Sequence, residues 1–381
     1  MEQRLNALWY AEPGNGGFVF TLFEWLVLRP LGGLYALLLR FRGSPDKPAG
    51  LAAPVVVVGN LTIGGTGKTP LLIALCQRLM ERGLRVGIVS RGYGRQASGL
   101  LEVRSEGEAS DYGDEPLLIA QQLQQWAAHH QLDHQWRMMV CARRRLAVES
   151  LLDDFAPDII LADDGLQHRG LPRDIELIVI DGSRGFGNLR LLPAGPLREP
   201  LDRLQAADAL VINGQVSKRL ASQLPGGSPP TFRLDLEWQK LQPVNDLARQ
   251  VLLDMAEAPV GRQMLELALV RQHWTIVAGI ANPQRFFTAV REQIDAQALR
   301  IHTEFAAFAD HHDFRREDFS VFQQQPTAVI MTAKDAIKCR TFANELAVPC
   351  FTIATDGAVD EALITMLVER CQREHRADTS T

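Results

Sequence analysis

At 381 residues and 46% apolar, the chain is larger than a usual single domain, which points to two lobes with an ample core. Forty Lys and Arg against 45 Asp and Glu give a net charge of −5, so no single-sign field favours nucleic acid and no such partner is expected. Thirty glycines and 20 prolines exclude collagen-like and Pro/Gly-rich disordered classes; five dispersed cysteines without a C-x-x-C pair fit a reduced, cytosolic compartment.

The first 50 residues are read as an N-terminal membrane-associated helical segment. Residues 18–41, FVFTLFEWLVLRPLGGLYALLLRF, are densely apolar, yet Glu24, Arg29, Pro30 and Gly32-Gly33 break the run. A spanning helix needs about 20 uninterrupted apolar residues, so two short helices lying in the membrane surface suit the composition better. Trp25, Tyr35, Arg40, Arg42 and Lys47 are residue types that anchor at such an interface. A signal peptide is the rival reading, opposed by Glu2 and Glu12 and by the long, interrupted apolar run; the plainer alternative is a helical hairpin buried against the rest of the protein.

Residues 51–228 alternate buried strands and helices, beginning with PVVVVGN, a glycine-rich loop, the helical stretch TPLLIALCQRLMERG and a second strand, RVGIVS. Further strands are predicted at DIILAD (158–163), ELIVID (176–181) and ALVING (209–214), giving a doubly wound, mostly parallel α/β sheet of the P-loop NTPase type. Residues 229–270 are read as a linker region and 271–381 as a second, smaller α/β domain. Its predicted strands are WTIVAGI and AVIMTAKD, and its predicted helices NPQRFFTAVREQI and DEALITMLVERCQR.

The chemistry concentrates in GNLTIGGTGKT, residues 59–69, where Thr62 replaces the first glycine of the G-x-x-x-x-G-K-[ST] pattern. Thr62, Ile63, Gly64, Gly65, Thr66 and Gly67 supply the loop whose amides cradle phosphates; Lys68 brings a charge and Thr69 a hydroxyl for Mg²⁺. Asp163 and Asp164, at the end of a strand and followed by GLQHRG, are the candidate metal carboxylates; Asp181 is the weaker alternative. SRGYGR (90–95), DYGDEPLL (111–118) and FADHHDF (308–314) stand out as well. Taken singly, these read as solvated arginines, a helix start and a polar turn.

Taken together, VVVVGNLTIGGTGKTP, SRGYGR, GDEPLL, DDGLQH, IDGSRGFGNLRLLPAGPLRE, AGIANPQRFF, ADHH and MTAKDAIKC resemble, in the same order, the tetraacyldisaccharide 4'-kinase family. The resemblance implies transfer of the γ-phosphate of ATP to the 4'-hydroxyl of a tetraacylated glucosamine disaccharide 1-phosphate, with Mg²⁺, at the cytoplasmic face of the inner membrane. It implies Lys68 and Thr69 on the phosphates and metal, Asp163 and Asp164 beside them, and Asp114 as the catalytic carboxylate. Asp114 would act with a histidine of the second lobe, His311, with His312 as the alternative, and the lobes would close before transfer. The rival class is a membrane-associated P-loop switch or assembly ATPase without a lipid substrate. Thr332-Ala333-Lys334-Asp335 lacks the N-K-x-D spacing that GTP recognition requires.

Overall fold

Four consecutive valines open β1 (Val55–Gly59), and every residue of that strand is buried, as expected of a strand covered on both faces. The computed structural model of the protein describes residues 9–10, 24–41, 51–168, 170–253, 255, 259–310, 312–324 and 327–378. Its contacts group into two compact units: Met1–Gly107, Ile119–Leu236 and Gly357–Thr381 form unit 1, and Glu108–Leu118 and Glu237–Asp356 form unit 2.

The strands of unit 1 are β1, β2 (Val86–Ser90), β3 (Leu101–Glu102), β4 (Trp136–Val140), β5 (Ile159–Asp163), β6 (Ile175–Asp181), β7 (Ala209–Asn213) and the start of β8 (Thr231–Pro243). They lie in the order β8-β7-β6-β1-β5-β2-β4-β3. All neighbours are parallel except β3 against β4. Unit 2 carries β9 (His273–Ala278), β10 (His302–Ala307), β11 (Thr327–Met331) and β12 (Cys350–Val359), parallel in the order β10-β9-β11-β12.

The helices in chain order are α1 (Arg29–Arg40), α2 (Lys68–Glu81), α3 (Ala109–Tyr112), α4 (Asp114–His130), α5 (Arg144–Asp154), α6 (Lys218–Gln223), α7 (Asp246–Leu253), α8 (Val260–Val270), α9 (Pro283–Ala296), α10 (Ala333–Cys339) and α11 (Glu361–Asp378). On one face of the unit 1 sheet, Val55, Val57, Ile160 and Ala162 pack with Ala147, Val148 and Leu151 of α5. The period-2 alternation sends Val56 and Val58 to the other face. Unit 2 has its own core, in which Trp274, Ile276 and Ala278 meet Phe287, Val290 and Phe351.

Three local findings depart from or sharpen the sequence reading. AVIMTAKD is not one strand: β11 stops at Met331, and Thr332 caps α10 by accepting the Asp335 N–H, so TAKD opens a helix. Pro30 does not break a helix; it lies in the first turn of α1, where its missing donor costs nothing, preceded by a π turn over Glu24–Leu28. The C-terminal helix α11 belongs to unit 1, with Leu363, Ile364, Leu367 and Cys371 buried. All five cysteines are buried free thiols; burial pushes the Cys350 thiol up to about 12 and those of Cys76 and Cys339 higher still.

One side of α1 packs on its own unit. A Cβ added to Gly32 would meet Ala194 Cβ at 3.4 Å, and the Tyr35 hydroxyl donates to the Arg198 carbonyl at 2.9 Å. A groove of about 340 Å³ runs there between Arg29, Gly32 and Gly33 and the segment holding Arg190, Leu191 and Ala194. On its other side Leu31, Leu34, Leu37 and Leu38, with Phe41 beyond, are exposed. No helix among the described residues is long and apolar enough to cross a membrane.

Candidate active site

The carboxyl ends of adjacent parallel strands β1 and β5 bring the loop 60–67 and the Asp163-Asp164 pair together in unit 1. Gly67 takes φ +101° to turn the loop into α2, and a side chain there would collide with Asn213, whose Nδ2 donates to the Thr66 carbonyl at 2.9 Å. Buried Asn60 braces the loop from within, its Nδ2 donating to the carbonyls of Thr62 (2.7 Å) and Gly64 (3.3 Å). Lys68 is the first residue of α2, with its ammonium 3.0 Å from Asn60 Oδ1 and 3.3 Å from Asp164 Oδ1. Thr69 follows it in the first turn.

Asp163 is buried at the end of β5 and accepts a hydrogen bond from the Ser90 hydroxyl at 3.0 Å, while Arg144 Nη2 donates to its carbonyl at 2.9 Å. Asp164 steps out of the strand with φ +45°, a backbone region aspartate tolerates better than most residues, and pairs with both Lys68 and Arg198. Burial opposes its charge, but Lys68, Arg198 and Arg144 outweigh that effect and hold the carboxyl down at about 2. Asp181, the weaker metal candidate, puts Oδ1 to work closing its own turn: it accepts from the N–H groups of Ser183 (2.9 Å) and Arg184 (3.2 Å) and from the Ser183 hydroxyl (2.6 Å).

Gln167 was already placed beside Asp163-Asp164 by GLQHRG, whereas motif spacing did not reveal three other members of this site. Arg198 and Glu199 arrive from LLPAGPLRE, which is stitched to the loop by Ile63 N–H to Pro196 O (2.8 Å) and Arg198 N–H to Leu61 O (2.7 Å). Gln167 Nε2 donates to Asn60 O and to Glu199 Oε1, both at 3.1 Å, and Arg198 Nη1 reaches Gln167 Oε1 at 3.4 Å. Asn60 is the third; a polar residue directly after a four-valine strand was its one visible signal, and the structure buries it. His168 is half-buried, and burial and Arg144 push its imidazole below the usual histidine range.

Asp114 lies in unit 2 as the first residue of α4, where a carboxylate faces the helix's positive end. Its Oδ2 is 3.7 Å from Lys338 Nζ, and the neighbouring Glu115 Oε1 is 2.9 Å from Lys334 Nζ. Lys338 also donates to the His312 carbonyl at 3.2 Å. His312 packs its ring between Phe308 and Phe314, each 4.8 Å away, and its Nε2 is 2.9 Å from Asp318 Oδ2. His311 lies outside the described residues.

Known proteins carry the same architecture. The profile of the family described as tetraacyldisaccharide-1-P 4'-kinase matches residues 24–372. A tetraacyldisaccharide 4'-kinase from Pseudomonas syringae is 38% identical over 344 residues, covering 89% of this chain and 91% of its own. Its counterpart from Methylobacillus flagellatus is 36% identical over 376 residues, covering 97% and 96%. Among solved structures, LpxK from Aquifex aeolicus in complex with ATP superposes with a TM-score of 0.63 at 26% identity, over 90% of this chain and 98% of that one. A glycine-rich loop feeding Lys68 into α2, set in this fold and matched along nearly the whole chain, places the protein in the tetraacyldisaccharide-1-P 4'-kinase family.

Proposed function

We propose that the chain transfers the γ-phosphoryl group of ATP to the 4'-hydroxyl of a tetraacylated glucosamine disaccharide 1-phosphate. The observation that carries this reading is the Lys68 ammonium at the head of α2, held 3.3 Å from an Asp164 carboxylate that sits beside Asp163. Loop amides from Thr62 to Thr69 bind the phosphate oxygens, and Lys68 neutralises charge on the β- and γ-phosphates as it builds up. The acceptor oxygen bonds to the γ-phosphorus, the bond from that phosphorus to the β–γ bridging oxygen breaks, and ADP leaves with the electron pair.

Asp163, Asp164 and the Thr69 hydroxyl form an all-oxygen donor set of the hard kind that Mg²⁺ prefers, which fits that ion. When bound, Mg²⁺ would supply further charge neutralisation at the phosphates. Arg198, paired to Asp164, orients that carboxylate and adds a second cation near the phosphates. The proton of the acceptor hydroxyl passes to a base formed by Asp114 with His311. Support for His311 over His312 comes from the His312 ring, which is already engaged by Phe308, Phe314 and Asp318.

A four-chain acyl substrate stays in a bilayer, so the enzyme works at a membrane surface, the cytoplasmic face of the inner membrane. The exposed leucines of α1 meet the lipid there while its other side stays packed on unit 1. Incubating the protein with ATP, Mg²⁺ and the disaccharide monophosphate tests the reading directly. A 4'-phosphorylated product is expected; ATP hydrolysis with no phosphorylated lipid would favour the switch or assembly ATPase instead.

A further inference from the structure

Two lysines one helical turn apart on α10 meet two consecutive carboxylates at the start of α4, all four within unit 2. Lys334 takes Glu115, in the first turn of α4, at 2.9 Å. Lys338 takes Asp114, and its surroundings are unlike those of a surface lysine. Only 8% of its side chain is exposed; its ammonium donates to the His312 carbonyl at 3.2 Å and lies 3.7 Å from Asp114 Oδ2 and 4.0 Å from Asp335 Oδ1.

Asp335 is the second carboxylate beside that charge, and its Oδ1, the oxygen that faces Lys338, is buried without a hydrogen-bond partner among the described residues. It is fully buried, and its Oδ2 already accepts the Gly279 N–H at 2.9 Å and the Thr332 hydroxyl at 2.6 Å. Burial also pushes its carboxyl above the usual range despite Lys334 and Lys338 nearby. Asp114 Oδ2, at 3.7 Å against 4.0 Å for Asp335 Oδ1, is nevertheless the carboxylate oxygen nearer to the Lys338 ammonium. A lysine desolvated to this degree is costly unless its charge is used, and the groups around its ammonium, one carbonyl acceptor and two carboxylates, come from three different segments: the loop after β10, α4 and α10 itself.

We propose that Lys338 is a positioning residue for phosphoryl transfer: its ammonium fixes the Asp114 carboxylate and ties it to the backbone at His312. The proposal rests on reading Asp114 as part of the base. Lys338 acts through Asp114, setting the direction from which that carboxylate works. A misplacement of about 1 Å at such a group costs on the order of 10²-fold in rate.

The test compares Lys338→Met and Lys338→Gln in wild-type and Asp114→Asn backgrounds, reading kcat and KM with the lipid substrate, ATP affinity by direct binding, and thermal melting. Glutamine keeps a donor for the His312 carbonyl while removing the charge, so it carries the test should Lys338→Met fail to fold. Expected is a roughly ten- to hundredfold loss of kcat with ATP affinity unchanged. In the Asp114→Asn background the same substitution should cost less than about threefold, because residues acting as a unit are not additive. An equal fold-loss in both backgrounds, a parallel loss of ATP affinity, or full activity of Lys338→Gln beside an impaired Asp114→Asn would overturn the inference alone. Wild-type turnover by Asp114→Asn would instead overturn the base assignment, and this inference with it.

Discussion

Lys68 and Asp164 compensate each other's charge at the mouth of the loop, so removing either has an effect that a general loss of packing would not produce. Lys68→Ala should lose roughly two or more orders of magnitude in kcat while melting cooperatively, because it deletes charge stabilisation needed in transfer and little apolar contact. For Asp164 the signature is in pH. Its folded value of about 2 lies below the unfolded value of about 3.9, so the folded state binds fewer protons between the two. The stability it contributes is complete above about pH 4 and drains away as pH falls toward about 2. The difference in urea midpoint between wild type and Asp164→Asn should therefore shrink from pH 6 to pH 3; a difference that stays constant would contradict the pairing. That Lys68 and Asp164 come together was legible, because each sits within a short motif whose residue types follow from phosphate and metal chemistry. Arg198, Glu199 and Lys338 were not, since the contacts that bring them to their places are distant in sequence: Arg198 finds Asp164 across 34 positions and Glu199 finds Gln167 across 32.

Elements were easiest to read where both faces are buried. β1, β5, β6 and β7 are near-continuous apolar runs, and their limits in the fold fall within a residue or two of the sequence reading. β4, WRMMV, and β10, HTEFAA, carry charged or small residues and show no such run, so only their parallel neighbours identify them as strands. TAKD misled for a different reason: an apolar strand running straight into a threonine N-cap looks continuous until the cap's hydrogen bond to Asp335 is seen. On α1, Leu31, Leu34, Leu37 and Leu38 are between 46% and 57% exposed, an apolar surface the rest of the described structure leaves half open. Leu38→Glu should leave the melting temperature near that of wild type, since Leu38 is 57% exposed, and should reduce co-sedimentation with anionic phospholipid vesicles. Unchanged co-sedimentation would remove α1 from the membrane contact.

At the scale of the whole molecule, the chain enters unit 2, returns to unit 1, enters unit 2 again and ends in unit 1. Linear boundaries drawn from composition do not capture that path, because no Pro/Gly cluster marks residues 108–118 or the return at 357. The return has a mechanical role: α11 packs on α2, the helix that carries Lys68. Glu361 pairs with Arg78 at 3.0 Å and also with Arg82, and the Asp360 carboxylate accepts the Arg233 N–H at 2.7 Å. Truncation after Asp356 removes the buried side chains Leu363, Ile364 and Leu367, a loss of about 5 kcal/mol or more at roughly 2 kcal/mol each. The truncated protein should thus lose ATP binding and cooperative melting together, although the P-loop sequence is intact; a stable, ATP-binding truncation would show α11 to be dispensable.

The buried thiols give the two units separate clocks. Cys76, Cys141 and Cys371 belong to unit 1, and Cys339 and Cys350 to unit 2. With no thiol exposed and with Cys76, Cys339 and Cys350 held protonated by burial, an alkylating reagent can mark each site only when the structure around it opens. The order in which the five positions acquire label, read peptide by peptide, reports which unit opens first, and adding ATP should slow Cys76 on α2 before it slows Cys350.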